Sequence, residues 1–384
     1  MNLEEKRKVI DTLQKQITKA YGTKVLMTGK EAIEKGVFDV PVLPTTSIEL
    51  NKALWCGGLS GIVELYGPES SGKTSLAIET LAKAQKDNPE FIGLWLETEH
   101  SIYPTILQQH GVDLNRLLFV NQEDVSNAEN ALDIVCAVVG QGAVNMVVVN
   151  SVAGLEPKKE TEEELKQQNV ALTARIMSKF FRKITGLAGK NKVTMIFINQ
   201  LRANVGVMFG DTTTTTGGKA LGYYAHQRIR MNKIKPDKSD PVTPEEGGKV
   251  SCIVHKNRYA GMNNPNTKCS YFYKFSTGID SVVGIPQLLE ENNIFKRGGA
   301  YWYYKDKDNI QTLANVQCKF SSLNDLVTTL RENEDFRNEV VKLLNVEEVS
   351  MEEKEEIEAE EQKNSEEISN IEKDISEDKS NTDN

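Results

Sequence analysis

Gly67-Pro68-Glu69-Ser70-Ser71-Gly72-Lys73-Thr74 sets a glycine-bounded turn, an ammonium group and a hydroxyl in consecutive order, which is what gripping a polyphosphate and its counter-cation requires. The run meets the G-x-x-x-x-G-K-[ST] phosphate-loop pattern at every fixed position. Glycine lets the backbone pass close to phosphate oxygens, the N–H groups from Glu69 to Thr74 point at them, and the positive end of a following helix adds to the attraction. Lys73 is expected to hold the β- and γ-phosphates of a nucleotide, and Thr74 to give its hydroxyl to Mg2+. Gly67, Pro68, Glu69, Ser70, Ser71, Gly72, Lys73, Thr74 and the adjoining Ser75 form the candidate nucleotide-binding set.

Such a loop works only between a buried strand and a helix, and the flanks supply both. Residues 61–66 read as a strand, and 74–84 as a helix with apolar residues at 76, 77, 81 and 84. Strand-like runs follow at 91–96, 117–120, 145–150 and 193–199, alternating with helical patterns at 103–110, 127–140 and 170–188. Val147-Val148-Val149 and Ile196-Phe197-Ile198 are apolar without alternation, as strands covered on both faces must be. A doubly wound, mostly parallel sheet is expected, extended by antiparallel strands at 226–234, 249–255 and 268–275. Its carboxyl edge is where ligands of such sheets bind. Glu97 and Glu99 lie there, two residues apart on one face of an extended chain, and the residues by themselves leave open which one activates water. Gln200 ends the strand at 193–199, placed to sense a γ-phosphate, and Asn150 ends the strand at 146–150.

The 384 residues carry a formal charge of −9, but residues 347–384 hold sixteen acidic and four basic side chains, so residues 1–346 carry +3. That tail has too few large apolar residues to fold alone and reads as solvated, or as a polyanion competing with nucleic acid for a basic groove. Five scattered cysteines (56, 136, 252, 269 and 318) and four histidines (100, 110, 226 and 255) show neither disulfide nor zinc spacing. No apolar run approaches the ~18 residues of a membrane span. The expectation is a cytoplasmic chain with no membrane partner. Residues 3–21 form an amphipathic helix with Ile10, Leu13, Ile17 and Tyr21 on one stripe and Gly22 as its stop. That stripe packs on its own core or on a neighbouring copy.

The phosphate loop, Glu97-Thr98-Glu99-His100, Phe197-Ile-Asn-Gln-Leu-Arg202, Gly206-Val-Met-Phe-Gly210, Thr214-Thr-Thr-Gly-Gly218 and Lys256-Asn-Arg258 together resemble the bacterial RecA recombinases over about residues 45–345. The resemblance implies an α/β fold: a RecA-like P-loop NTPase core (35–280) with an N-terminal helix segment for oligomerisation (1–34), a small α+β C-terminal domain (281–345) and an acidic tail (346–384). It implies that Glu99 rather than Glu97 activates the attacking water, that Gln200 relays nucleotide state to a DNA loop, and that Lys256 and Arg258 reach the γ-phosphate of a neighbouring subunit. Tyr103 stands at the adenine contact, in place of another polar residue. Arg202, Val207, Met208, Phe209, Gly217 and Gly218 belong to the DNA loop, with Arg175, Ser178 and Arg182 on one helix face behind it.

Two features depart from the family pattern. Asn150 stands where an aspartate normally accepts from the magnesium water shell, which predicts weakened Mg2+-dependent hydrolysis. Residues 156–169, in place of a first DNA loop, are acidic and lack glycines, and a phage or mobile-element origin stands beside a chromosomal one. The implied activity is an ATP- and Mg2+-dependent recombinase that forms helical filaments on single-stranded DNA and pairs it with duplex. The rivals are a ring-forming helicase or repair ATPase, and a nucleotide-gated DNA-binding paralogue with little hydrolysis.

Overall fold

A computed structural model describes residues 1–22, 25–159, 170–203, 213–236, 240, 242–260, 267–299, 301–304 and 310–345. The acidic tail, the 160–169 stretch and the loop centre carrying Val207, Met208 and Phe209 lie outside the described residues. Two compact units divide the chain, Met1–Ser281 and the part from Val282 onward.

The first unit is built on one large sheet. Its parallel strands are β3 (Ile62–Gly67), β4 (Gly93–Glu97), β5 (Leu117–Asn121), β6 (Met146–Asn150) and β7 (Thr194–Ala203), and β9 (Gln227–Ile234) continues parallel beside β3. β10 (Gly247–Asn257), β11 (Thr267–Lys274) and β12 (Gly278–Ile279) extend it antiparallel, and the order across the sheet is β12-β11-β10-β9-β3-β7-β6-β4-β5. Short strands β1 (Val42–Leu43) and β2 (Leu59–Ser60) pair separately. β7 runs past Gln200 to Ala203, longer than expected, because Leu201–Ala203 pair antiparallel with β8 (Thr213–Thr215).

Both faces of the sheet are covered, which is why its central strands do not alternate. β3, β4 and β6 are buried at every position. On one face Val148, Ile196 and Ile198 pack with Leu76 and Leu81 of helix Lys73–Asp87. On the other, Val147, Val149 and Phe197 meet helices Ala128–Gly140 and Val170–Lys190, where Phe181 lies edge-on to Phe197 at 5.1 Å and stacks on Tyr224 at 5.5 Å. In β9 and β10 buried and half-buried residues alternate, as in a sheet with a wetter face.

Helix Leu3–Tyr21 is closed at its start by an Asn2/Glu5 capping box and at its end by Gly22 in the left-handed region (φ 71°). None of its residues is buried, and Ile10 and Leu13 remain 43% exposed, so its apolar stripe is left uncovered among the described residues. The second unit gathers Phe295, Trp302, Phe320, Leu326, Leu330 and Phe336 from a three-stranded sheet and helices Leu323–Glu332 and Glu334–Asn345 into its own core. Among the described residues no helix is long and apolar enough to cross a membrane.

Candidate functional site

Register brings the candidate residues to one edge. Gly67 lies opposite Gln200 across β3 and β7, and Glu97 lies opposite Asn150 across β4 and β6, so β3, β4 and β6 end together beside the Ile198–Gln200 part of β7. The two loop glycines are required for different reasons. At Gly67 a Cβ would overlap the Met231 carbonyl oxygen of β9, so packing against the sheet excludes any side chain. Gly72 is left-handed (φ 86°) and caps helix Lys73–Asp87 without a side-chain hydrogen bond, leaving first-turn N–H groups for a ligand. Lys73 is buried, and its Nζ donates to the carbonyls of Pro68 (2.6 Å) and Gly67 (3.2 Å) and to Ser71 Oγ (3.3 Å). Burial holds its pKa below the ordinary lysine value, with Glu99 and Glu69 pulling the other way. These are the properties of an ammonium group kept for a polyanion.

A cavity of about 390 Å³ opens beside the loop, lined by Ser70 to Ser75 and, from the antiparallel extension, by Lys233, Tyr273, Lys274 and Phe275. Tyr103 stands outside that lining, 62% exposed at the head of helix Pro104–Gln109. Glu79 and His110 close the cavity wall, with His110 Nδ1 3.4 Å from Glu79 Oε1. Burial raises the Glu79 carboxyl from 4.5 to about 7, against opposing hydrogen bonds from the Ile279 N–H and Thr46. The unfolded chain therefore releases this proton first, so the Glu79 contribution to stability is present below about pH 4.5 and is lost as pH rises through about 7. Burial lowers the His110 pKa, which gives the opposite slope. Comparison with Glu79→Gln isolates the first term: its melting temperature is expected to fall less than that of the wild type between about pH 5 and about pH 8. Parallel melting profiles would refute this assignment.

Glu97 and Glu99 take different places. Glu97 is 2% exposed and accepts hydrogen bonds from Trp95 Nε1, Asn150 Nδ2, the Glu99 N–H and Ser101. Glu99 is exposed; it accepts from the Ser151 hydroxyl, and from Gln200 Nε2 at 3.0 Å. The carboxylate free to meet solvent and the amide on β7 thus touch across 101 positions of sequence. Asn150 gives its amide hydrogens to Glu97 (2.9 Å) and Ser101 Oγ (3.1 Å), while its Oδ1 is buried without a hydrogen-bond partner. That orphaned acceptor is an oxygen of the kind a hard divalent cation takes.

Next to Gln200, Asn199 is fully buried and accepts from the Gln200 N–H, while its amide donates to Glu64 (3.0 Å) and to the Thr216 carbonyl (2.9 Å) just after β8. Glu64 in turn holds Arg228 at 2.5 Å. Lys256 and Arg258 are not brought to this edge. Lys256 is paired with Arg228, which lies opposite Glu64, and Asn257 with Gln227, opposite Val63; the basic pair is therefore level with the beginning of β3. Lys256 Nζ donates to the Gly222 and Tyr223 carbonyls (2.9 and 3.0 Å), and Arg258 Nη2 to Tyr223 (2.9 Å), at the end of helix Lys219–Tyr224.

On helix Val170–Lys190, Arg175 and Arg182 are exposed, and Ser178 is half-buried with its hydroxyl donating to the Ala174 carbonyl. Arg182 Nε donates to the Ser178 carbonyl at 3.2 Å. Gly217 and Gly218, both left-handed (φ 85° and 72°), press against Val152 and Ala174, where a Cβ would sit 2.8 Å from each. Arg202 is exposed on the short ladder, opposite Thr214.

A model of the RecA N-terminal domain matches residues 8–280, well over half of the chain. The chain belongs to the RecA family. It is 39% identical over 310 residues to Protein RecA of Bacteroides thetaiotaomicron, spanning 80% of this chain and 89% of that one. Over 340 residues it is 37% identical to Protein RecA of Clostridium acetobutylicum, spanning 88% and 90%, and over 308 residues 37% identical to Protein RecA of Fusobacterium nucleatum, spanning 79% and 78%.

Membership of the RecA family carries nucleotide binding and the RecA-like core with it. Sequence reasoning missed Asn199, Glu64 and the cavity residues Lys233, Tyr273, Lys274 and Phe275. Asn199 had a signal, since it is a polar residue within an otherwise apolar strand. Phe275 and Lys233 had none, because their role comes from strands that meet only in the fold.

Proposed function

We propose that ATP with Mg2+ is the nucleotide of this site, that single- and double-stranded DNA are its polymeric ligands, and that copies of the chain assemble into a helical filament in the cytoplasm. The chain is a recombinase and DNA-dependent ATPase of the RecA family. Lys73 and the N–H groups of residues 69–74 hold the phosphates, and Thr74 and the Asn150 carbonyl oxygen would be the groups to hold the metal. Mg2+ would supply neutralisation of charge on the phosphate oxygens. Glu99 takes the proton of the attacking water, and Tyr103 or Phe275 covers the base. Arg175, Arg182 and Arg202 meet DNA phosphates, and Val207, Met208 and Phe209 meet bases.

The observation that carries this reading is the Gln200–Glu99 hydrogen bond. Gln200 sits on the strand that runs into the DNA-loop segment, and Asn199 ties it to Thr216 where that segment returns. Nucleotide and DNA are then linked by differential affinity: a state of the edge that favours ATP also favours the ordered loop. The uncovered stripe of Ile10 and Leu13 supports a neighbouring copy as its cover. The test is phosphate release with and without single-stranded DNA, alongside strand exchange between a circular single strand and a homologous linear duplex. DNA-stimulated release and ATP-dependent exchange are expected. Equal coating of an oligonucleotide with and without ATP would overturn the reading.

A further inference from the structure

We infer that Glu97 is a positioning residue for hydrolysis, and that Asn150 is an asparagine because the Glu97 side chain opposite it requires a hydrogen-bond donor at that position. The inference rests on Glu99 being the group that activates water.

Five donors converge on one carboxylate. Glu97 Oε2 accepts from Trp95 Nε1 (2.9 Å) and Asn150 Nδ2 (2.9 Å), and Oε1 accepts from the backbone N–H of Glu99 (3.0 Å), the N–H of Ser101 (3.2 Å) and the Ser101 hydroxyl (3.3 Å). The group is 2% exposed, so water does not share the task. A carboxyl group places an acceptor oxygen on each side, whereas an amide would turn its NH2 toward one set of donors. Strand register fixes the partner, since Glu97 and Asn150 are directly opposed on β4 and β6. Asn150 satisfies Glu97 with one amide hydrogen and Ser101 Oγ with the other. An aspartate at that position would set a second carboxylate against the first with no hydrogen between them, in a site shielded from solvent.

What Glu97 holds is the backbone that carries Glu99. Its Oε1 bonds the N–H groups on either side of His100, which lies in the left-handed region (φ 50°), a conformation that a non-glycine residue keeps only under constraint. The second strand end is tied in as well: the Thr98 hydroxyl donates to the Ser151 carbonyl and accepts from the Ser151 N–H, and the Ser151 hydroxyl donates to Glu99. The Glu97–Asn150 bond therefore locks the loop after β4 to the end of β6, and with it the direction of the Glu99 carboxylate toward Gln200. Asn150 thus has a role that its amide performs and that an aspartate would undo.

The test uses the full-length chain in four further forms: Glu97→Gln, Asn150→Asp, the double variant Glu97→Gln/Asn150→Asp, and Ser101→Ala. DNA-stimulated phosphate release gives kcat and KM for ATP, a fluorescent slowly hydrolysed ATP analogue reports nucleotide affinity, and thermal melting reports the fold. Glu97→Gln and Asn150→Asp are each expected to lose about 100-fold in kcat, with analogue affinity within about threefold of the wild type. The double variant restores a donor–acceptor pair in reverse and is expected to regain about tenfold over Asn150→Asp. It falls short of the wild type because Trp95 Nε1 keeps no acceptor.

Ser101 is exposed, so Ser101→Ala is expected to fold, and it loses about tenfold in kcat, which keeps the test decisive if a buried variant does not fold. Unchanged kcat in Glu97→Gln or Ser101→Ala, or a double variant no better than Asn150→Asp alone, would overturn the inference. A Glu99→Gln control separates the two readings: full hydrolysis there removes the premise, whereas an inactive Glu99→Gln beside an active Glu97→Gln removes only this inference.

Discussion

Glu99→Gln is expected to lower DNA-stimulated ATP hydrolysis by about 10²- to 10⁴-fold while leaving ATP binding and ATP-dependent DNA coating in place. The substitution keeps the size of the side chain and one oxygen able to accept from the Gln200 amide, which lies 3.0 Å away in the native chain. What it removes is the ability to take a proton. Glu99 is exposed at the strand edge, whereas Glu97 is enclosed by donors, so only the former meets a water molecule beside bound phosphate. With turnover blocked, the triphosphate state persists, and the variant should remain on single-stranded DNA longer than the wild type in a filter-retention or fluorescence assay. Hydrolysis within about threefold of the wild type would remove Glu99 from the mechanism.

The second large effect belongs to Arg258 and Lys256. Arg258→Ala is expected to lose about 10³-fold in hydrolysis, the scale of a charge supplied to a transferring phosphoryl group from a neighbour. Within one chain the pair does not reach the phosphate loop, so the expectation is that it serves a neighbour's nucleotide. The basic pair is level with the first residues of β3, and the phosphate loop follows its last, Gly67. Three to five residues of strand separate the two, roughly 10–17 Å along the sheet, and the side chains turn to the carbonyls of Gly222 and Tyr223. Burial, with Arg258 and Arg228 nearby, lowers the Lys256 pKa to about 8, so its charge is held at a cost that an approaching polyphosphate offsets.

A mixing experiment reads the arrangement directly. Equal amounts of Glu99→Gln and Arg258→Ala chains form interfaces in which an intact Glu99 meets an intact Arg258 from the adjoining copy, about a quarter of the total in a random head-to-tail assembly. Activity near that fraction of the wild type is expected from two nearly inactive proteins. A mixture no more active than its components would place Arg258 in the same subunit as the nucleotide it serves.

The family relation accounts for these roles in outline, but the chain diverges where its own packing decides the chemistry. Asn150 suggested, from sequence, a weakened metal site. In the fold the same residue is the donor that a buried Glu97 needs, so the loss of charge on β6 and the glutamate on β4 are one arrangement seen from two strands.

Sequence by itself determined whatever depends on near neighbours along the chain. The phosphate loop, its strand and its helix are set within about thirty residues. The amphipathic helix with its Asn2/Glu5 box and Gly22 stop is local too, and so is the run of both-face apolar strands that makes a parallel sheet. Tertiary structure decided what depends on register between distant strands. Periodicity relates a residue to those two, three or four places away, whereas Glu97 meets Asn150 across 53 positions and Glu99 meets Gln200 across 101. The same limit hid the reason for Gly67, which is the Met231 carbonyl of another strand, and the extension of β7 to Ala203, which exists only because Thr213–Thr215 return to pair with it. Which of the two glutamates faces water was decided by the turn after β4, whose residues with Trp95 supply four of the five donors to Glu97, and by β6, which supplies the fifth through Asn150.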